Sequence, residues 1–244
     1  MRGRIHSIET CGAVDGPGLR YIIFTQGCLL RCQYCHNPDT WKIRSGKEMT
    51  VQEILQDIKD FLPFFKATGG GVTVSGGEPL LQIDFLAELF KELKKMNVHT
   101  AIDTSGGCFN RAPHFLKKLD EVRTYTDLVL LDLKHIHQER HKDLTGVSNA
   151  HILDFATYLS ENQVPVWIRH VLVPTINDQE EYLHGLADFI QTLSNVEKVE
   201  VLPYHLMGVY KWRDLGLSYK LDGIEPPSQE HVTHARQILN HISH

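Results

Sequence analysis

The sequence predicts an α/β fold, a partial (β/α)6 TIM-like barrel, and two observations carry that expectation. Short β-branched and aromatic runs alternate six times with amphipathic helical stretches along the 244 residues, as in a parallel sheet with helices outside. The chemically unusual residues stand at or just past the C-terminal ends of those runs, the end at which α/β barrels gather their sites. A full eightfold barrel would need two more units, and a flat doubly wound sheet is the alternative. No linker, repeat or low-complexity segment divides the chain, so one domain over residues 1–244 is expected.

Taken in order, residues 14–18 hold two glycines around Pro17 and mark a turn. The first strand, residues 21–25, delivers the chain into Cys28, Cys32 and Cys35. Thr50 and Glu53 fit a capping box that opens a helix running to about residue 65. A second strand at 71–75 ends in Gly76, Gly77 and Glu78, and residues 84–95 carry apolar side chains at helical spacing. The third, 100–103, runs into Thr104 and is followed by a weaker helix over 111–119. The fourth, 127–133, is the most apolar, as suits a strand covered on both faces, and 149–161 form its helix. The fifth spans 164–173, with Asp178 placed to cap a helix ending near 192. The sixth covers 198–205; a longer polar loop then leads to Ser228 as the cap of the last helix.

A formal charge of −5 and 25 scattered Lys and Arg leave no basic footprint, so nucleic acid is not an expected partner. Residues 1–7 lack the apolar run of a secretory signal and no stretch reaches membrane-spanning length, so a cytoplasmic protein without membrane attachment is expected. Five cysteines is an odd number with three of them crowded together, which argues for a reducing compartment and leaves Cys11 and Cys108 as free thiols. The 15 histidines are dispersed in mostly polar positions and read as mainly solvated.

Three thiolates within eight residues repel one another unless a cation holds them. A cube of four irons held by three cysteines keeps one iron open to a small molecule; a closed zinc site of Cys28, Cys32, Cys35 and His36 is the rival. The glycines at 76 and 77 let backbone approach a ligand, while Glu78 could accept from an ammonium or only fix its corner. Asp103 and Asp132 end neighbouring strands with Lys134 two residues beyond, offering both charge signs to a zwitterion. Arg169 inside an apolar strand calls for a polar pocket or a partner, and His205 could hydrogen-bond a ligand or serve the fold.

The spacing C-x3-C-x2-C, with Tyr34 before the last cysteine, resembles the signature of the radical S-adenosylmethionine family. That resemblance implies a [4Fe-4S] cluster on Cys28, Cys32 and Cys35 as the catalytic centre, its open iron chelating S-adenosylmethionine, whose one-electron cleavage gives methionine and a 5′-deoxyadenosyl radical. Within the family, residues 3–7, 14–18, 27–37, 69–78, 131–134, 147–149, 167–169 and 202–205 together resemble the glycyl radical enzyme activases. By that resemblance, Tyr34, Cys35, His36, Gly77, Glu78, Asp103, Thr104, Asp132, Leu133, Lys134, Arg169 and His205 contact the cofactor, and Asp15 and His36, beside the cysteine loop, contact a substrate peptide. The implied partner is pyruvate formate-lyase, a protein substrate whose glycine Cα gives up a hydrogen; the implied electron donor is reduced flavodoxin or similar, and a monomer is expected. A monovalent cation beside Asp103 and Asp132 is left open. No cysteine lies between residues 37 and 75, which excludes the inserted cluster domain common among activases of other glycyl radical enzymes. An activase of another such enzyme and a zinc-stabilised binding protein remain the alternatives.

Overall fold

The computed structural model describes residues 1–240. The chain opens with β1 (Arg2–Gly12) and β2 (Arg20–Thr25), followed by β3 (Lys47–Thr50), α1 (Val51–Ile58) and α2 (Leu62–Thr68). Next come β4 (Gly71–Gly76), α3 (Ile83–Lys95), β5 (His99–Thr104), α4 (Pro113–Arg123) and β6 (Leu128–Asp132). Then follow α5 (Gln138–Thr145), α6 (Ala150–Glu161), β7 (Val166–Leu172), α7 (Glu180–Gln191), β8 (Val196–Pro203), α8 (Val209–Asp214) and α9 (Gln229–Asn240).

The strand order is β3-β1-β2-β4-β5-β6-β7-β8, so the sheet has two edges and does not close. All six strands expected from the sequence are present, and from β2 onward they stand in chain order without the reversal that a doubly wound sheet shows. β2 runs parallel to β4, with Tyr21 opposite Val72, β4 runs parallel to β5, and β7 parallel to β8.

Contacts divide the chain into two compact units: residues 1–29 with 40–130, and residues 30–39 with 131–244. In the first, α3 turns Phe85, Leu86, Leu89, Phe90 and Leu93 inward, and Ile22, Ile23, Val72, Val74 and Ala101 of the strands are almost wholly buried. In the second, Tyr34, Leu144, Val173, Tyr204 and Leu221 form one buried cluster, and α9 packs on α7 and β8.

Several expectations change. β1 and β3 were not foreseen; β1 pairs antiparallel with both β2 and β3, and only Gly3, Ile5 and Gly12 along it are buried, so it carries little apolar signal. The capping box is present, with Glu53 N donating to Thr50 Oγ1 (3.2 Å) and Thr50 N to the Glu53 carboxylate (2.7 Å). The helix it opens ends early, however: a 3-10 turn at Lys59–Phe61 intervenes and Pro63 sits in the first turn of α2, where its missing N–H does no harm. Asp178 does not cap α7, which begins after Gln179; its Oδ1 instead accepts from Thr175 N (2.8 Å). The polar loop after β8 contains α8, and α5 is an additional helix between the fourth expected strand and its helix. Ser228 Oγ accepts from His231 N (3.2 Å), as a cap of α9 should. Most histidines were expected to be solvated, but His135, His141 and His170 are buried.

Candidate functional site

The predicted residues fall into two groups, one in each unit. In the first unit β2 carries the chain to Gly27, whose N donates to Thr40 O (2.7 Å), and to buried Cys28, whose N donates to Trp41 O (3.5 Å). The glycine corner after β4 is zipped to this same stretch: Gly77 N donates to Thr25 O (2.9 Å) and Glu78 N to Gly27 O (2.8 Å). A Cβ on Gly77 would stand 2.1 Å from Gly27 O, so only glycine permits the approach.

Glu78 is wholly buried, and its carboxylate accepts from four groups of its own chain: Thr104 Oγ1, Leu80 N (3.2 Å), Ser105 N (3.2 Å) and Ser105 Oγ (2.6 Å). Burial pushes its pKa up while the bonds from Ser105 and Thr104 oppose that. Its contacts are those of a residue that fixes the corners after β4 and β5, the structural role left open by the sequence. Asp103 accepts from Ser75 Oγ (2.6 Å), and Thr104 Oγ1 accepts from Gly106 N (2.9 Å). Burial pushes the Cys108 thiol pKa up, keeping it protonated. The Asp15 carbonyl accepts from Thr73 Oγ1 (2.6 Å), and Thr73 pairs with Ile22 of β2.

In the second unit the cysteine loop is pinned to the end of α5, with Arg31 N donating to Thr145 O (2.7 Å) and Gln33 N to Leu144 O (2.9 Å); Cys35 N turns back to Cys32 O (3.1 Å). Buried Lys134 places its Nζ 2.7 Å from Asp132 Oδ2 and 5.6 Å from the centre of the Tyr34 ring. Burial works against the charged ammonium, but Asp132 outweighs it and Lys134 titrates well above the usual lysine range. Leu133 N donates to Arg169 O (2.9 Å) and His170 Nδ1 to Leu133 O (2.8 Å), tying the end of β6 to β7. His36 and His205 stack with ring centres 4.1 Å apart, and His36 Nε2 donates to His205 O (3.1 Å).

None of the five cysteines forms a disulfide. The donor set, three soft thiols within eight residues, fits an iron–sulfur cluster or zinc by chemistry. The zinc alternative also asks for His36, whose Nε2 donates to His205 O (3.1 Å), which would leave Nδ1 as its ligating atom. Among the described residues, no three His, Cys, Asp or Glu side chains close on one point as a single-ion site requires.

Sequence reasoning missed three residues that organise the second group. Asn177 is buried; its Nδ2 donates to Lys134 O (3.0 Å) and Val171 O (2.8 Å), and its Oδ1 accepts from Val173 N (2.7 Å). Asn149 Nδ2 donates to His135 O (3.1 Å) and Ile136 O (2.6 Å). Trp212 Nε1 donates to Cys35 O (2.8 Å). The signals available were the pair Asn177-Asp178 after Pro174, as a turn, and the stretch 147–149, which carries part of the resemblance and ends in Asn149.

Residues 22–187 match the model of the radical SAM superfamily. The chain is 58% identical over 241 residues to the pyruvate formate-lyase-activating enzyme of Staphylococcus epidermidis, covering 98% of this chain and 96% of that protein. Among solved structures it is similar to a domain of a pyruvate formate-lyase-activating enzyme from Bacteroides vulgatus, at a TM-score of 0.57 and 30% identity over 70% of this chain and 92% of that one. A radical SAM methyltransferase from Sphaerobacter thermophilus shares the fold over 97% of this chain and 74% of its own, with a TM-score of 0.65 and 15% identity.

Proposed function

The chain belongs to the radical SAM superfamily and, inside it, to the family of pyruvate formate-lyase-activating enzymes, and on that premise we propose that it installs a glycyl radical on pyruvate formate-lyase. Cys28, Cys32 and Cys35 would hold a [4Fe-4S] cluster with one iron left for S-adenosylmethionine. Together these groups supply one-electron cleavage of a C–S bond and, with it, the power to remove a hydrogen atom from carbon. The chain's own residues bind and orient. The Lys134 ammonium, held charged by Asp132, is a fixed cation for the methionyl carboxylate. The backbone around Gly77 offers acceptors for its amine, and Glu78 keeps that corner rigid by binding Thr104, Ser105 and Leu80. Asp103, Thr104, Leu133, Arg169 and His205 complete the proposed cofactor contacts, and Asp15 and His36 the peptide contacts. Both units act as one catalytic domain, in a cytoplasmic monomer reduced by flavodoxin or a similar donor.

The observation that supports this reading most is the set of three cysteines, none in a disulfide, that follows β2 in a chain 58% identical over 98% of its length to a named activating enzyme. A glycine substrate suits the chemistry because both neighbouring amides stabilise a radical at its Cα. The test supplies reductant, S-adenosylmethionine and a partner lyase deuterated at that glycine, under anaerobic conditions. A persistent organic radical on the lyase and deuterium in 5′-deoxyadenosine are expected. Unlabelled 5′-deoxyadenosine formed at an undiminished rate, with no radical on the lyase, would assign the substrate elsewhere.

A further inference from the structure

Five contacts reach from residues 205–212 to the stretch that begins at Cys35, all inside the second unit. The buried Trp212 indole, 3% exposed, donates Nε1–H to Cys35 O (2.8 Å). Lys211 Nζ donates to Asn37 Oδ1 (2.7 Å) and pairs with Asp39 Oδ2 (3.2 Å). His36 Nε2 donates to His205 O (3.1 Å), and Gly208 lies so close that a Cβ there would meet His36 Cα at 2.7 Å. The indole is itself held: the Tyr219 ring stands edge-on to it at 5.3 Å and 82°, and the Tyr219 and Tyr204 hydroxyls pair at 2.8 Å.

From these contacts we propose that α8 is a latch on the cysteine loop and that Trp212 is a positioning residue for Cys35. Holding the carbonyl of Cys35 fixes the peptide plane between Cys35 and His36, and hence the direction in which the Cys35 Cα–Cβ bond leaves the backbone. The loop lies outside the helices and strands and is fixed by individual hydrogen bonds, those of Arg31 N, Gln33 N and Cys35 N on its amide side and that of the indole on the Cys35 carbonyl, and groups that orient a ligand tune the metal it binds. The helix does not owe its place to propensity, since six residues are too short to persist alone. It is there because its buried side chain has a partner 177 residues away.

This inference rests on the reading of Cys35 as a cluster ligand, and the experiment separates the two. Trp212→Phe keeps the ring against Tyr219 and removes only the donor. Tyr210→Ala, on the exposed side of the same helix at 58% exposure, is the control. In the metal-free, reduced protein, alkylation of each cysteine is followed by mass spectrometry; Trp212→Phe should speed Cys35 two- to tenfold, the scale of one lost hydrogen bond, while Cys28 keeps its rate. In the reconstituted protein, iron release to a chelator should accelerate by a similar factor and the spectrum of the reduced cluster should shift, neither of which a mere loss of stability would single out. Thermal melting of each variant confirms that it is folded, and Lys211→Met provides a second opening of the latch with the indole intact. Unchanged Cys35 alkylation and iron release in Trp212→Phe would overturn the latch. If the unsubstituted chain takes up no iron, the ligand reading falls, and the alkylation rates still decide whether Trp212 fixes Cys35.

Discussion

Asn177→Ala removes one side chain and three hydrogen bonds at once. The amide now satisfies the carbonyls of Lys134 and Val171 and the N–H of Val173, all at distances between 2.7 and 3.0 Å and in a residue 1% exposed. Each neutral bond contributes about 1 kcal/mol net, and buried groups left without partners add to the cost, so a loss of roughly 3–5 kcal/mol is expected. Asn177→Asp is the sharper probe. One carboxylate oxygen can still accept from Val173 N, but the other faces two carbonyls and repels them. Such a carboxyl is driven above its unfolded pKa, so its protonated form is favoured in the fold: the variant should be most stable at low pH and lose stability as pH rises through the folded pKa. Anaerobic urea unfolding followed by circular dichroism, from pH 5 to 8, measures both. An Asn177→Ala protein within about 1 kcal/mol of the parent, or an Asn177→Asp protein whose difference from the parent is flat with pH, would refute the account of Asn177 as the clamp on the end of β6.

Two further outcomes are expected. Replacing Cys28, Cys32 or Cys35 by alanine should abolish retention of about four irons per chain, whereas Cys108→Ala, which removes a protonated thiol, should keep them; iron analysis after anaerobic reconstitution decides. His99, His135 and His141 have pKa values pushed down to about 4, in each case chiefly by burial. Their contribution to stability is complete above an unfolded value of about 6.5 and is lost as pH falls from there toward 4. The urea midpoint of the parent should therefore drop across that window, and a midpoint constant between pH 7 and 5 would show that these histidines charge without cost.

The six parallel-type strands were legible because each is a run of β-branched or apolar residues flanked by glycines or polar turns, and the Thr50–Glu53 pair was legible because a capping box is local. β1 was not: its buried positions, Gly3, Ile5 and Gly12, make sense only once β2 and β3 lie beside it. The cysteines and the glycine corner carry their chemistry in the chain itself. Asn177 and Trp212 do not, because an amide that serves a carbonyl 43 residues away, or an indole that serves one 177 away, looks like any polar-loop residue until the fold closes. Glu78 was found by motif, but its occupation by four internal donors could be seen only in three dimensions.

The two strands the sequence hid also change what the sheet presents at its rim. Without them β2, whose Tyr21, Ile22 and Ile23 are at most 1% exposed, would itself form the rim of the sheet, a sticky template for any extended segment. β1 covers that side, and β3 ends it with only four residues, Lys47–Thr50, the first two of them exposed and charged. A short, charged rim offers a stray strand few bonds and a poor surface to pair with. These strands also pair within the first fifty residues, a shorter separation along the chain than the one β4 spans to reach β2, so their closure costs less chain entropy.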